Sequence, residues 1–255
     1  MRNSSRSADV FERTGQKVSK EVLVPVEQLL RLQVNGELAA VLSRQPGDDI
    51  ELAVGYCLSE GLVGDPREVL SARHCDMDSD TVDVSIAGSP PADPRWVDTE
   101  CINAQQILGE LPAPLDATPG VTWDSCQLLA MAPQFRDQQE QHKQSGGVHG
   151  AALFGHDGKL VVLREDIGRH NAVDKAVGYC VLHRLPTADM ALMVSGRPSA
   201  SMVIKAARAN IPLLATTSNT TSLGWELADR LGLTLVTYLR VKSFRICTHP
   251  ARISG

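Results

Sequence analysis

The sequence predicts an α/β protein, α+β overall, in which a smaller β-rich segment precedes a larger α/β layer. Strands and helices alternate through the second half, a pattern typical of parallel strands joined by crossover helices. The first half shows short strands around the turn signal Asn35-Gly36. The proline-rich stretch "SPPADPR" separates the halves. We therefore expect a disordered tail over 1–16, a β-rich domain over 17–97 and an α/β domain over 98–255.

The first half reads as a hairpin, a helix and a further strand. Two strands flank Asn35-Gly36, and a helix follows from Asp48 or Asp49 to near Gly61. Strict alternation in "TVDVSIAG" predicts the next strand.

The second half begins with a helix from Ser125 to about Gln141, followed by a hairpin around Asp157-Gly158. Three helices and three strands then alternate. The helices are expected over 171–184, 199–209 and 222–231, and the strands in "MALMVS", "IPLLAT" and "LTLVTYL".

Composition excludes several classes of protein. A net charge of −5 leaves no broad basic face for nucleic acid. The apolar runs are too short for a bilayer and the N-terminus has no signal-peptide core, so we expect a cytoplasmic protein without a membrane partner. Six cysteines without a CxxC pair argue against a disulfide framework or a metal site. Cys57 and Cys180 have the pattern of buried helix positions.

Three strand-to-helix junctions are rich in small and polar residues: "REDIGRHN", "SGRPSASMVIK" and "TTSNTTSLGWE". Ligands bind at the carboxyl ends of strands in such sheets, and helix N-termini favour anions. Arg197 and Lys205 add charge near the second junction, and Arg240 follows the last strand. Plain helix capping is the alternative, with Ser199, Asn219 and Ser222 as candidates. Three such junctions on one edge favour a nucleotide-sized anion.

The first junction also predicts ion pairs that fix it in place, in which Asp166 and Asp174 pair with Arg169 and Lys175. His149, in "SGGVHGAAL", fits a metal ligand, a base or a structural hydrogen-bonding residue. The zinc deaminase pattern H-x-E with a later P-C-x-x-C is missing, so we expect no metal.

Cys101 is the candidate reactive cysteine. It follows the proline-rich stretch in a segment of weak periodicity, where a thiolate can reach partners. Glu100 beside it would raise its pKa. The alternative is an unreactive surface or half-buried cysteine.

Several motifs together resemble the FdhD family, the formate dehydrogenase accessory sulfurtransferases, over about 21–253. They are "ELAVGYCLSEGLV", "GGVHGAAL", "REDIGRHNAVDK", "SGRPSASMVIKAARANIPLLAT", "TSLGWELADRLGLTLVTYLR" and "THPARI". The resemblance implies a cytidine-deaminase-like α/β/α domain without a zinc site, a smaller β-rich N-terminal domain and a homodimer.

The resemblance also implies a function. Such proteins take sulfur from a cysteine desulfurase as a persulfide and pass it to the molybdenum (or tungsten) bis(guanine dinucleotide) cofactor, which then enters formate dehydrogenase. GDP would mimic that cofactor. A chaperone that binds the cofactor without moving sulfur is the alternative; a nucleotide deaminase follows only from fold analogy.

The resemblance assigns residues one by one. Cys101 matches the first cysteine of the family's C-x-x-C loop, whereas Ala104 stands at the second, and Ser201 replaces a usual glutamate. His149 and His170, with Arg197 and Lys205, are expected at the cofactor site. The stretch expected to contact the cofactor is Tyr238, Leu239, Arg240, Val241, Lys242 and Ser243.

Overall fold

The computed structural model describes residues 2–89, 95–97, 111–115 and 121–255. Its strands are β1 (Asn3–Phe11), β2 (Lys17–Pro25), β3 (Gln28–Val34), β4 (Glu37–Arg44), β5 (Val69–Cys75), β6 (Asp78–Ile86), β7 (Arg95–Val97), β8 (Trp123–Asp124), β9 (His149–Phe154), β10 (Leu160–Asp166), β11 (Ala191–Val194), β12 (Leu213–Thr216), β13 (Thr234–Thr237), β14 (Arg245–Ile246) and β15 (Ile253–Ser254). Its α-helices are α1 (Asp49–Ser59), α2 (Ser125–Gln138), α3 (Glu140–Ser145), α4 (Arg169–Leu182), α5 (Ala200–Arg208) and α6 (Ser222–Arg230). None of these helices is both long and apolar enough to cross a membrane.

The N-terminal residues form a hairpin, so the expected disordered tail over 1–16 is wrong. β1 pairs antiparallel with β2, and Val10 lies opposite Val18. Gly15 has a φ of 84°, a left-handed conformation that glycine adopts without steric cost. The base of the hairpin is held by the Arg2–Asp48 ion pair at 2.7 Å.

The first sheet has the strand order β5-β6-β3-β4-β7. The predicted turn between β3 and β4 is confirmed, since Asn35 and Gly36 have φ values of 52° and 83°. Leu30 and Leu32 of β3 lie in one hydrophobic core with α1. β5 and β7 were not predicted; β7 begins at the last residue of the proline-rich stretch and pairs with β4.

The second sheet has the order β10-β9-β11-β12-β13-β14 and helices on both faces. Alternate residues of β11 point to opposite faces, as the period of two requires. Leu192 and Val194 belong to the core shared with α4, α5 and α6. Ala191 and Met193 belong to a second core with Trp123 and residues of α2. The predicted mixed α/β layer is therefore confirmed, with every predicted strand–helix alternation present.

Two helices from different halves cross in direct backbone contact. The sequence AVGYC occurs in α1 (53–57) and again in α4 (176–180). A Cβ at Gly55 would overlap the Asp174 carbonyl oxygen, and a Cβ at Gly178 would overlap that of Glu51. Both halves therefore share one continuous hydrophobic core, and α1 and α4 pack against each other where the two halves meet.

Candidate functional site at the carboxyl edge of the second sheet

The three strand-to-helix junctions that are rich in small and polar residues lie on one edge of the second sheet. β11, β12 and β13 run parallel, and β9 is antiparallel to both β11 and β10. The carboxyl ends of β10, β11, β12 and β13 therefore meet at a single edge, where α4, α5 and α6 begin. His149 reaches the same edge because it is the first residue of β9 and lies opposite Asp166, the last of β10. The predicted common edge is confirmed.

Two of the three helices begin there without a side-chain cap. Gly168 precedes α4 and has no capping side chain. Ser199 is the N-cap residue of α5, but its hydroxyl lies 2.9 Å from Ser201 Oγ and makes no cap hydrogen bond. In α6 the Thr221 hydroxyl accepts from the Gly224 N–H at 3.0 Å, so Thr221, not Asn219 or Ser222, is the cap. The capping alternative thus explains only the third junction. No side chain of the described residues caps α4 or α5, and helix N-termini of this kind favour anions.

The side chains of His149 and Arg169 both lie close to Gly196. His149 Nδ1 lies 3.2 Å from Ser195 Oγ, which also accepts from the Gly150 N–H at 3.0 Å. A Cβ at Gly196 would lie 3.3 Å from Arg169 Cδ and 3.7 Å from His149 Nδ1, so this glycine leaves both side chains room. Burial, together with the Arg169 charge, lowers the pKa of His149, so its imidazole is neutral at pH 7. Arg169 Nε is buried and has no hydrogen-bond partner among the described residues.

His170 sits behind this surface in a chain of hydrogen bonds. It is buried, and its Nε2 lies 2.9 Å from Ser201 Oγ. Ser201 in turn contacts the Ser199 hydroxyl at the start of α5. Ser201 thus links α4 to the N-terminus of α5.

The segment after β13 forms a turn beside these groups. The Tyr238 N–H donates to Ser218 O at 3.0 Å, and the Arg240 N–H donates to Ser243 O at 2.9 Å. Leu239 is fully buried in the core around Trp123, so only its backbone is available to a ligand. The exposed members of the predicted stretch are Arg240, Val241, Lys242 and Ser243.

Five cations on this edge have no ion-pair partner within the described ranges. They are Arg169, Arg197, Arg240, Lys242 and Arg245. The Arg245 guanidinium lies 4.4 Å from the centroid of the Tyr238 ring. A local positive field therefore forms on a chain whose net charge is −5. Arg169 and Arg245 were not predicted as binding residues; their positions beside strand ends were the available signal.

Lys205 does not belong to this surface, which corrects the prediction. Its ammonium is buried and donates to Ser59 at 2.8 Å, pairs with Asp174 at 2.8 Å and with Glu60 at 2.7 Å. Burial alone would lower the pKa of Lys205, but Asp174 and Glu60 outweigh it and raise that pKa. All three N–H donors are occupied inside the protein, so none remains for a phosphate.

The predicted ion pairs of the first junction are half confirmed. Lys175 pairs with Asp166 at 2.7 Å, and both are buried. Asp166 also accepts from the N–H groups of Gln45 and Gly168, which ties the start of α4 to the end of β4. Asp174 pairs with Lys205 instead, and Arg169 stays without an ion pair in the part of the chain described. The charged residues of the first junction therefore mainly hold α4 in place, and Arg169 is the one whose charge remains available to a ligand at the candidate site.

Cys101 and Ala104 lie outside the described residues. Of the cysteines described, Cys57 and Cys180 are buried as predicted. Burial, with a smaller contribution from neighbouring carboxylates, raises the pKa of each thiol to about 12. Neither of these two can act as a thiolate at neutral pH. Cys126 is exposed.

Comparisons with known proteins agree with this architecture. The model of the FdhD/NarQ family matches residues 25–254. Curated relatives named sulfur carrier protein FdhD include one from Mycolicibacterium paratuberculosis, 35% identical over 99% of this chain and 100% of the relative. A second, from Geobacillus kaustophilus, is 31% identical over 94% of each chain. A crystal structure of a protein described as a formate dehydrogenase accessory protein from Desulfotalea psychrophila superposes with a TM-score of 0.82, at 25% identity over 99% of both chains. The chain belongs to the FdhD/NarQ family.

Proposed function

We propose that this chain is a sulfur carrier in the maturation of formate dehydrogenase. It receives sulfur on Cys101 and passes it to a molybdenum bis(guanine dinucleotide) cofactor held at the carboxyl edge of the second sheet. The observation that supports cofactor binding is a group of five cations without an ion-pair partner in the described residues, beside two helix N-termini that lack side-chain caps there. The names of the relatives and the sequence position of Cys101 support the sulfur-transfer part of the proposal.

The sulfur step needs only a thiolate and a persulfide donor. The Cys101 thiolate attacks the outer sulfur of a persulfide on a cysteine desulfurase; a new S–S bond forms and the donor cysteine leaves as a thiolate. Transfer of that sulfur to a reduced metal breaks the S–S bond and returns Cys101 as a thiolate, since the metal supplies the two electrons that sulfide requires.

The edge is suited to the cofactor as a substrate with several phosphates. Arg169 and Arg197 stand at the starts of α4 and α5, where no side chain of the described residues caps the helix and phosphate oxygens find charge beside a helix N-terminus. The Tyr238–Ser243 turn, with Arg240 and Lys242 exposed, offers backbone and cationic groups for the guanine end. Neutral His149 offers a ring nitrogen that accepts or donates a hydrogen bond.

Sulfur loading tests the assignment of Cys101. The protein is incubated with a cysteine desulfurase and ³⁵S-cysteine, and protein-bound label is measured after gel filtration without reductant. We expect Cys101→Ala to lower bound label about tenfold or more, because the nucleophile is gone. Cys126→Ala is the matched control, since Cys126 is the exposed cysteine of the described residues, and it should keep wild-type label. Label that persists in Cys101→Ala and is lost in Cys126→Ala would move the relay to Cys126. No label on wild type would leave the cofactor-binding chaperone as the function.

Binding of GDP tests the edge independently of sulfur. Arg197→Ala and Arg169→Ala should each weaken GDP about tenfold in a calorimetric titration, because each removes a charged donor to phosphate. Arg230→Ala, at the far end of α6, should leave the affinity unchanged. Equal affinity in all four proteins would contradict this location.

The remaining expectations from the family are part of the same proposal. We place formate dehydrogenase and a cysteine desulfurase as partners, the homodimer as the working form and the cytoplasm as the compartment. The α/β layer is assigned as cytidine-deaminase-like. The described residues contain no group of three His, Cys, Asp or Glu side chains suited to a metal ion. Metal analysis of the purified protein tests the expected absence of zinc.

A further inference from the structure

A groove of about 1110 Å³ lies at the opposite end of α4 from the candidate site. The 14 residues of α4 place it about 20 Å from Arg169. Its apolar surface includes Val181, Leu182 and Leu185, and β5 forms one wall. The groove is therefore a separate surface from the edge that carries the cations.

Among the described residues, β5 is the outermost strand of the first sheet on this side, and residues 69–72 of the strand line the groove. The Asn35 N–H donates to Val84 O at 3.0 Å, so the backbone groups of Val84 point towards β3. Ala72 lies opposite Val84 on β5. In an antiparallel ladder, such a residue is in a non-hydrogen-bonded pair, and its N–H and C=O point outwards. The same alternation applies to His74, opposite Val82. β5 thus presents backbone donors and acceptors that its own sheet does not use.

The groove is also positively charged. Arg67, Arg184 and Arg208 line it, and the one carboxylate among the lining residues, Asp65, is held by Arg67 at 2.5 Å. Arg184 is exposed and has no ion-pair partner in the described ranges. On a chain of net charge −5, this cluster selects acidic groups.

We propose that this groove binds an extended acidic segment of a partner protein by strand addition to β5. The backbone of the segment pairs with Ala72 and His74, its apolar side chains pack on Val181 and Leu185, and its carboxylates meet Arg184. Strand addition of this kind takes its affinity from backbone hydrogen bonds and its specificity from alternate side chains. An open edge next to an apolar groove is the geometry it requires.

Synthetic peptides test the proposal on the full chain. The probe is fluorescein-labelled EVEVEVE, capped at both ends, measured by fluorescence anisotropy at low and high salt. Binding should weaken about tenfold or more when lysine replaces each glutamate. N-methylation of alternate backbone amides should abolish binding, because it removes the donors of a strand. Equal binding of the three peptides, or no binding of EVEVEVE, would overturn the proposal.

Two variants locate the peptide. Ala72→Pro deletes an N–H that points away from β6, a change that edge strands tolerate, and should weaken EVEVEVE about tenfold with little loss of stability. Arg184→Glu should weaken it about fivefold or more by charge reversal, and it keeps the test decisive should the proline variant unfold. Arg136→Glu, at an exposed position of α2, is the control and should bind as wild type does. Unchanged affinity in Arg184→Glu would exclude this groove.

Discussion

Gly178→Ala is expected to lower the free energy of unfolding by about 3 kcal/mol, at the upper end of the usual cost of overpacking. The new methyl would overlap the Glu51 carbonyl oxygen of α1 and lie 2.7 Å from its carbon. The neighbouring atoms are backbone, so no side-chain rotation relieves the overlap. Alanine improves helix propensity by about 1 kcal/mol, which opposes the loss without reversing it. Because α1 and α4 must move apart, the buried ion pairs beside the crossing are strained as well.

Urea unfolding followed by circular dichroism measures this change. Gly55→Ala should behave in the same way, since its methyl would overlap the Asp174 carbonyl oxygen. Gly64→Ala is the matched control: no atom lies within 4 Å of a Cβ there, and a change below about 0.5 kcal/mol is expected. A Gly178→Ala protein as stable as Gly64→Ala would show that the two helices do not touch at these glycines.

The sequence predicted that Cys57 and Cys180 are buried, but not that their helices touch. Helical periodicity identifies the buried face of each helix and says nothing about which face it meets. The repeated AVGYC was visible in the sequence. Its glycines in helix interiors are costly unless two backbones approach closely. That combination is the signal from which the crossing could have been predicted.

The sequence predicted which strand ends form the candidate site, but not the contacts of every side chain there. Alternating elements fix the edge at which the junctions meet, and this predicted Arg197 and Arg240 at that edge. His149 and the Tyr238–Ser243 stretch were expected at the cofactor site from the family resemblance, and they lie on the same edge. The error at Lys205 has a geometric cause. Lys205 lies more than one turn into α5, and its partner Asp174 is 31 positions away in sequence. An ion pair between residues so far apart in sequence depends on how the helices pack, and the local sequence pattern does not show this.

Lys205→Met is expected to lower the free energy of unfolding by about 3–5 kcal/mol, the cost of breaking a buried ion pair from one side. Asp174 is almost fully buried and would lose the ammonium that compensates its charge. If Lys205 bound phosphate instead, the same change would lower GDP affinity and leave stability nearly unaltered. Urea unfolding and GDP titration of the folded variant therefore separate the two roles, and we expect GDP affinity to stay at the wild-type value.

The pH dependence of this variant provides an independent check. Burial already raises the pKa of Asp174, and without Lys205 that pKa rises further. A carboxyl whose folded pKa exceeds its unfolded value binds more protons when folded, so stability falls as pH rises between those two values. Lys205→Met should thus lose less stability at pH 5 than at pH 8. The double variant Asp174→Asn, Lys205→Met should recover part of the loss and show a weaker pH dependence, since the unpaired buried charge is gone. A loss that is the same at both pH values, with no recovery in the double variant, would mean that packing of the lysine stem, and not its charge, holds α5 against α4.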